Sequence, residues 1–300
     1  MSDRFLLYID ILGFSNMVRD EPRKVVRVYE ILDTLNVHNR SDFKVIVFSD
    51  TILIYNSQPA SATTESKFCV QTLVDCAEDL HHRLVGQDIF FRGVIVKGDF
   101  EHYKRSHVER FFGGALITAY HAEKDIPSLG LFITDECKAF GLLQPTAAFS
   151  PKLSFVFLCH GLQSLSTLAT RAWPINLGGS PGEDFGFHIP WDVRFLKDIY
   201  SQMRAHSSPA VRTKFLTAWD LYLQRYPRAL AALVQHDFCV RALATSDWDQ
   251  ATKALEDKIK YFKRIGSGTD LSKSIQETSK SLQGKRIWRS KRPAPKGPSM

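Results

Sequence analysis

Two strand-like runs in the first fifth of the chain each carry one carboxylate, and this placement limits the possible folds more than any other feature. The first is RFLLYIDILGFS, Arg4 to Ser15, and the second is KVIVFSDTILIY, Lys44 to Tyr55. A charge inside an apolar strand is costly unless something neutralises it. Side chains alternate across a strand, so Tyr8, Asp10 and Leu12 share one face of the first run. Ile46, Phe48 and Asp50 share a face of the second. Ser49-Asp50 reads as a tight hairpin between short strands, Lys44 to Phe48 and Thr51 to Tyr55. With the first strand beside that hairpin, Asp10 and Asp50 meet at a strand end. Two carboxylates in a half-buried place repel each other, and a divalent cation is the usual remedy. Oxygen ligands of this kind suit Mg²⁺ or Mn²⁺, with nucleotide phosphate completing the shell. A turn or helix-cap role for either Asp alone is the simpler alternative.

The remaining pattern predicts an α+β domain. A helix is expected from Glu21-Pro22 to about Asn36 and another from about Ser66 to Leu84. Ile89 to Lys97 reads as a strand, and Phe111 to Asp125 as a glycine pair leading into a helix. A short strand and helix follow in GLFITDECKAFG, then a strand from Leu153 to Cys159. The order implies a central, mostly antiparallel sheet packed with helices over residues 1–165. Residues 166–265 read as a helical accessory region, with helices at Asp192–Met203, Ser208–Tyr226, Arg228–Ala244 and Asp247–Ile265. Residues 266–300 read as a flexible basic tail.

Charge and cysteine usage exclude simpler functions. The formal charge is +7, but six basic residues lie in KRIWRSKRPAPK, Lys285 to Lys296, which leaves +1 for the rest. The folded body therefore needs no nucleic-acid partner on charge grounds, although the tail keeps that alternative open. Five dispersed cysteines without a CxxC fit a reducing cytoplasm and argue against a disulfide or zinc scaffold. No apolar run is long enough for a membrane span.

Asp10-Ile11-Leu12-Gly13-Phe14 resembles the D-I-x-G-F segment of class III nucleotidyl cyclases. Ser49-Asp50 resembles their second metal-binding Asp on its turn, and Phe91-Arg92-Gly93 their R-x-G strand. Gly113 to Glu123, GGALITAYHAE, resembles the G-x-x-V-N-x-A-x-R helix. The resemblance covers roughly residues 4–160. It implies two Mn²⁺ or Mg²⁺ ions held by Asp10, Ile11 and Asp50, and a nucleotide against Ile11, Gly13, Phe14, Ile46, Phe48 and Arg110. It also implies a homodimer with sites at the interface.

The departures bear on the substrate. Ile46 stands where purine cyclases of the family carry a base-reading Lys, and Arg110 where they carry an acid. The family's Asn and transition-state Arg positions fall on Ile117 and His121. Losing the purine-reading groups while keeping both Asps resembles the bacterial pyrimidine cyclases of antiphage defence. The expectation is cyclic UMP and pyrophosphate from UTP, with CTP as the alternative substrate and a separate effector reading the product. Arg92 and His121 are the candidate catalytic cations, with Arg105 and Arg110 as alternatives. A catalytically silent nucleotide sensor is the rival reading.

Overall fold

A computed structural model describes residues 2–168, 173–179 and 188–265. The tail assigned to residues 266–300, with its basic run, lies outside the described residues.

The chain starts with strand β1 (Asp3–Ile11), followed by helices α1 (Phe14–Asp20) and α2 (Pro22–Asp33). The hairpin β2 (Phe43–Phe48) and β3 (Thr51–Asn56) leads to the long helix α3 (Thr63–Leu84). Strand β4 (Phe91–Asp99) runs into an arm of two short strands, β5 (Glu101–Lys104) and β6 (Glu109–Phe112). Helix α4 (Gly114–Lys124), strand β7 (Gly130–Thr134) and the short helix α5 (Asp135–Lys138) come next. Strands β8 (Thr146–Ser150) and β9 (Leu153–Val156) complete a seven-stranded sheet in the order β2-β3-β1-β4-β7-β9-β8. Every neighbouring pair is antiparallel except β4 and β7.

β1 lies inside this sheet, and both its faces are covered. Phe5, Leu7, Ile9 and Ile11 pack with α2 and α3 residues such as Ile31 and Leu73. Leu6 and Tyr8 point the other way, into a cluster with Val94, Phe132 and Phe155. This explains why the run is continuously apolar rather than alternating. Each of those buried apolar side chains contributes about 1.5–3 kcal/mol. That anchorage fixes the register in which Asp10 lies between Thr51 on β3 and Arg92 on β4.

The remaining elements are α6 (His160–Leu168), β10 (Ile175–Asn176), α7 (Ile189–Ala205), α8 (Pro209–Arg225), α9 (Pro227–Gln235), β11 (Ala244–Thr245) and α10 (Asp249–Ile265). The helix expected over Arg228–Ala244 stops early. Asp237 and Phe238 both adopt positive φ after Gln235, which ends α9, and the chain then makes a short 3₁₀ turn and β11. Strands β5, β6 and β8 were not expected from the sequence pattern. The helical region shares its core with the sheet: Leu196, Phe215, Trp219 and Tyr222 belong to the same buried cluster as Tyr8, Phe132 and Phe155.

One buried knot ties the two regions together. His81 on α3, Cys159 before α6 and Asp192 on α7 lie close together and fully buried, with ligand atoms within 4.8 Å of one another. Burial pulls His81 down to about 4 and pushes Asp192 well above the usual carboxylate range. His81 therefore stays neutral near pH 7. Asp192 Oδ2 accepts a hydrogen bond from the Leu162 N–H at 2.8 Å, so the group docks the start of α6 onto α7.

Candidate carboxylate centre and its two flanking recesses

The carboxylates come together because a two-residue turn lies next to the end of β1. Phe48 pairs with Thr51 across the hairpin, leaving Ser49 and Asp50 as the turn. Ser49 adopts φ 56, and the Tyr29 hydroxyl donates to its carbonyl at 3.1 Å. The Ile11 N–H donates to the Asp50 carbonyl at 3.0 Å, which stitches the turn to the last residue of β1. The chain then turns at Gly13, whose φ of 75 is left-handed, the conformation that favours glycine. Phe14 is buried edge-on to Tyr29 and holds the first turn of α1 in place.

The charges at this spot are unevenly matched. Burial, the largest influence, raises the Asp10 carboxyl to about 6, and the nearby charge of Asp50 pushes the same way. Arg92 and Lys214 oppose the rise without cancelling it. The Arg92 guanidinium lies 3.6 Å from Asp10 but makes its closer ion pair with Glu123 on α4. It also donates to the Ile126 carbonyl at 2.5 Å. Glu123 and the Arg92 side chain are both buried, so most of this arginine's charge is already neutralised. Asp10 keeps 22% of its side-chain surface and has no other ion pair among the described residues. A half-buried carboxylate whose nearest cation is already paired, with a second acid beside it, suits a hard divalent cation. Asp10, Asp50 and the Ile11 carbonyl fit that role by donor type.

On one side of the carboxylates lies an open apolar groove of about 370 Å³. Tyr8, Phe48, Leu53, Leu116, Ile117 and Tyr120 line it, with His121 at its rim. Phe48 is 70% exposed and Ile117 61%. Tyr8 links the groove to the acids. Its hydroxyl is 3.4 Å from the Thr51 hydroxyl, and burial, with Asp10 and Asp50, raises its pKa.

On the other side is a cavity of about 230 Å³ with a mixed polar and apolar lining. Leu12, Gly13 and Lys24 from the first turns face Gln202, His206 and Lys214 from α7 and α8.

The expected site residues therefore separate into groups. Asp10 faces Arg92 at 3.6 Å, and the Asp50 turn is bonded to Ile11 beside them, near enough for the Asp50 charge to act on Asp10. Phe48 and His121 line the groove, whereas Ile46 is only 9% exposed and packs in the core cluster with Tyr8 and Leu53. Arg110 lies on the β5–β6 arm, donating to the Tyr103 hydroxyl at 3.4 Å. The α4 glycines have a packing reason: a Cβ on Gly113 would lie 2.2 Å from the Asp99 carbonyl, and the Gly114 N–H donates to the Asp99 carboxylate at 3.1 Å. Sequence reasoning missed Tyr8, Thr51 and Lys214 as site residues. Tyr8 was legible, because it lies two residues before Asp10 on the same strand face. Nothing local to α8 marks Lys214.

No protein-family model matches the chain, and no curated relative matches it. Solved structures with partial likeness include the adenylyl cyclase CyaB from P. aeruginosa, at 10% identity and TM-score 0.37, over 52% of this chain and 93% of that one. The monomeric guanylyl cyclase domain of the RhoGC fusion protein from the aquatic fungus Blastocladiella emersonii is 13% identical with TM-score 0.42, over 52% and 95%. The guanylate cyclase domain of RhGC from Catenaria anguillulae in complex with GTP is 12% identical with TM-score 0.39, over 52% and 96%. At these scores the likeness carries no argument about the reaction.

Proposed function

We propose that this chain is a divalent-metal-dependent nucleotidyl cyclase acting on a pyrimidine nucleoside triphosphate, UTP before CTP. The observation that supports this most is the meeting of Asp10 and Asp50 at the end of β1, beside Ile11 and the Gly13 turn. Asp10, Asp50 and the Ile11 carbonyl would hold Mn²⁺ or Mg²⁺. When bound, such an ion makes the ribose 3′-hydroxyl a better nucleophile and neutralises phosphate charge. The 3′-hydroxyl loses its proton to solvent as its oxygen attacks the α-phosphorus, the bond to the bridging oxygen of the β-phosphate breaks, and pyrophosphate leaves.

The protein's own residues do the positioning. Tyr8, Phe48 and Tyr120 offer ring faces and edges for a base in the groove. Ile46 supplies no donor to a purine and is buried, and Arg110 points to Tyr103. These departures favour a pyrimidine. The groove is open on one side, with Phe48, Ile117 and Tyr120 exposed, and we assign a second copy of the chain to cover it. In that arrangement His121 reaches the partner's site. A cytoplasmic antiphage role, with a separate effector for cyclic UMP, completes the proposal and rests on the motif resemblance alone.

One observation favours a second reading, a silent nucleotide sensor. Arg92 is held by Glu123 and is not a free cation for the transition state.

The test is product analysis with all four ribonucleoside triphosphates and Mn²⁺, read by mass spectrometry. Cyclic UMP is expected. Cyclic CMP alone would reassign the base, a purine product would contradict the groove argument, and nucleotide binding without product would establish the sensor.

A further inference from the structure

The centre has a shortage of positive charge. Two acids with a bound metal are close to neutral, and a nucleoside triphosphate adds several negative charges. Electrostatic stabilisation of such charge needs fixed cations. Arg92 is committed to Glu123 and Asp10. Lys24 is bonded to Glu21 at 3.0 Å. Lys214 differs from both. It lines the cavity that opens from Gly13, and its ammonium is close enough to Asp10 and Arg92 for both to influence it. Among the described residues no hydrogen bond or close ion pair holds it.

The cavity has room for an extended ligand, and its lining mixes apolar side chains such as Leu12, Phe90 and Phe215 with charges of both signs. A Cβ built on Gly13 meets nothing within 4 Å, so the turn's backbone opens onto free space. Gln202 and His206 supply further polar groups from α7 and the residue that ends it. Two acids also line the cavity, but Glu21 is taken by Lys24, and Asp88 faces Arg27.

We propose that Lys214, carried by α8 on the wall of the cavity beside the Gly13 turn, is a positioning cation from the helical region that meets the nucleotide's phosphate chain. The helical region then supplies, within the same chain, a cation that the sheet domain lacks. The inference rests on reading Asp10 and Asp50 as a nucleotide centre, and the anion measurement below separates the two.

The full-length protein with Mn²⁺ is titrated with inorganic tripolyphosphate, and turnover is measured in parallel. Lys214→Gln should weaken tripolyphosphate binding about tenfold or more and lower turnover about a hundredfold. Lys214→Arg should recover part of both. Lys197→Gln, an exposed α7 control paired with Asp237, should change neither. Melting temperatures check that the variants fold. Wild-type turnover that Lys214→Gln leaves unchanged overturns the inference and spares the cyclase reading. Lys214-dependent tripolyphosphate binding without any cyclic product upholds the anion site and overturns the cyclase reading. Absence of both product and tripolyphosphate binding overturns both.

Discussion

The two recesses flanking Asp10 differ in what they offer a ligand. The groove is built from Tyr8, Phe48, Leu53 and Tyr120, exposes aromatic faces to solvent, and has little formal charge. The cavity is built from a glycine turn, charges of both signs including Lys24, Glu21, Asp88 and Lys214, and a wall from α7 and α8. One recess suits a flat, weakly polar body and the other a chain of negative charge. A nucleoside triphosphate is a ligand with both parts, and the carboxylates lie at the junction where its ribose and α-phosphate would fall. The origin of the walls also differs. The sheet domain supplies the groove alone, whereas the cavity needs α7 and α8. Residues 1–165 supply the whole lining of the first recess, but Gln202, His206, Val211, Lys214 and Phe215 in the second come from the helical region.

The strongest way to break the comparison is at the junction. Asp10→Ala and Asp50→Ala should each lower turnover by about a thousandfold or more while the protein stays folded, measured by product yield and circular dichroism. Either variant retaining near-normal turnover removes the junction. The next effect is on stability and separates structural charge from functional charge. Arg92→Ala leaves Glu123 buried without its partner and should cost about 3–5 kcal/mol in denaturant unfolding. Ile46→Lys puts a charge at a core position and should also destabilise the fold, without producing ATP cyclisation. Efficient ATP turnover by that variant would contradict the view that Ile46 is core.

Smaller effects sharpen the division between the recesses. Phe48→Ala should raise the KM for the nucleotide about tenfold yet leave tripolyphosphate binding intact, because it removes one ring from the groove only. Equal loss of both would merge the recesses. The pH dependence is also specific. Burial is the main reason the folded Asp10 carboxyl is raised to about 6, from 3.8 for an ordinary aspartate. The folded state thus binds the proton more tightly than the unfolded one. This contribution to stability is present below about pH 4 and is lost as pH rises through 6. The melting temperature of metal-free protein, relative to that of Asp10→Asn, should fall across that window. Mn²⁺ affinity should rise over the same window as the carboxylate ionises. The smallest effect is at the turn. Ser49→Gly removes a left-handed non-glycine residue and should shift stability by no more than about 1 kcal/mol.

The sequence made some of this legible. Asp10 and Asp50 stood out because each interrupts an apolar strand, and strand alternation placed them at a common end. The two-residue hairpin at Ser49-Asp50 was readable from its flanking β-branched and aromatic residues. The arm β5–β6 was not readable, because its charged residues lack an apolar alternation and its order comes from contacts such as the Tyr55 hydroxyl with His102. The break after Gln235 was hidden as well, since Asp237 and Phe238 carry no glycine to announce positive φ. Lys214 was invisible for a different reason. Its role depends on how α8 docks over the Gly13 turn, and that docking is set by scattered core residues such as Phe215, which packs edge-on against Phe90. Local pattern reports which face of a helix is buried, but not what the face is buried against.

The most direct test of the central claim is a crystal structure with Mn²⁺ and a UTP analogue lacking the 3′-hydroxyl. The account predicts a metal ion bridging Asp10 and Asp50, the base against Phe48 and Tyr120, and the phosphate chain beside Gly13 and Lys214. A nucleotide bound elsewhere, or with its base in the Lys214 cavity and its phosphates in the groove, would contradict it.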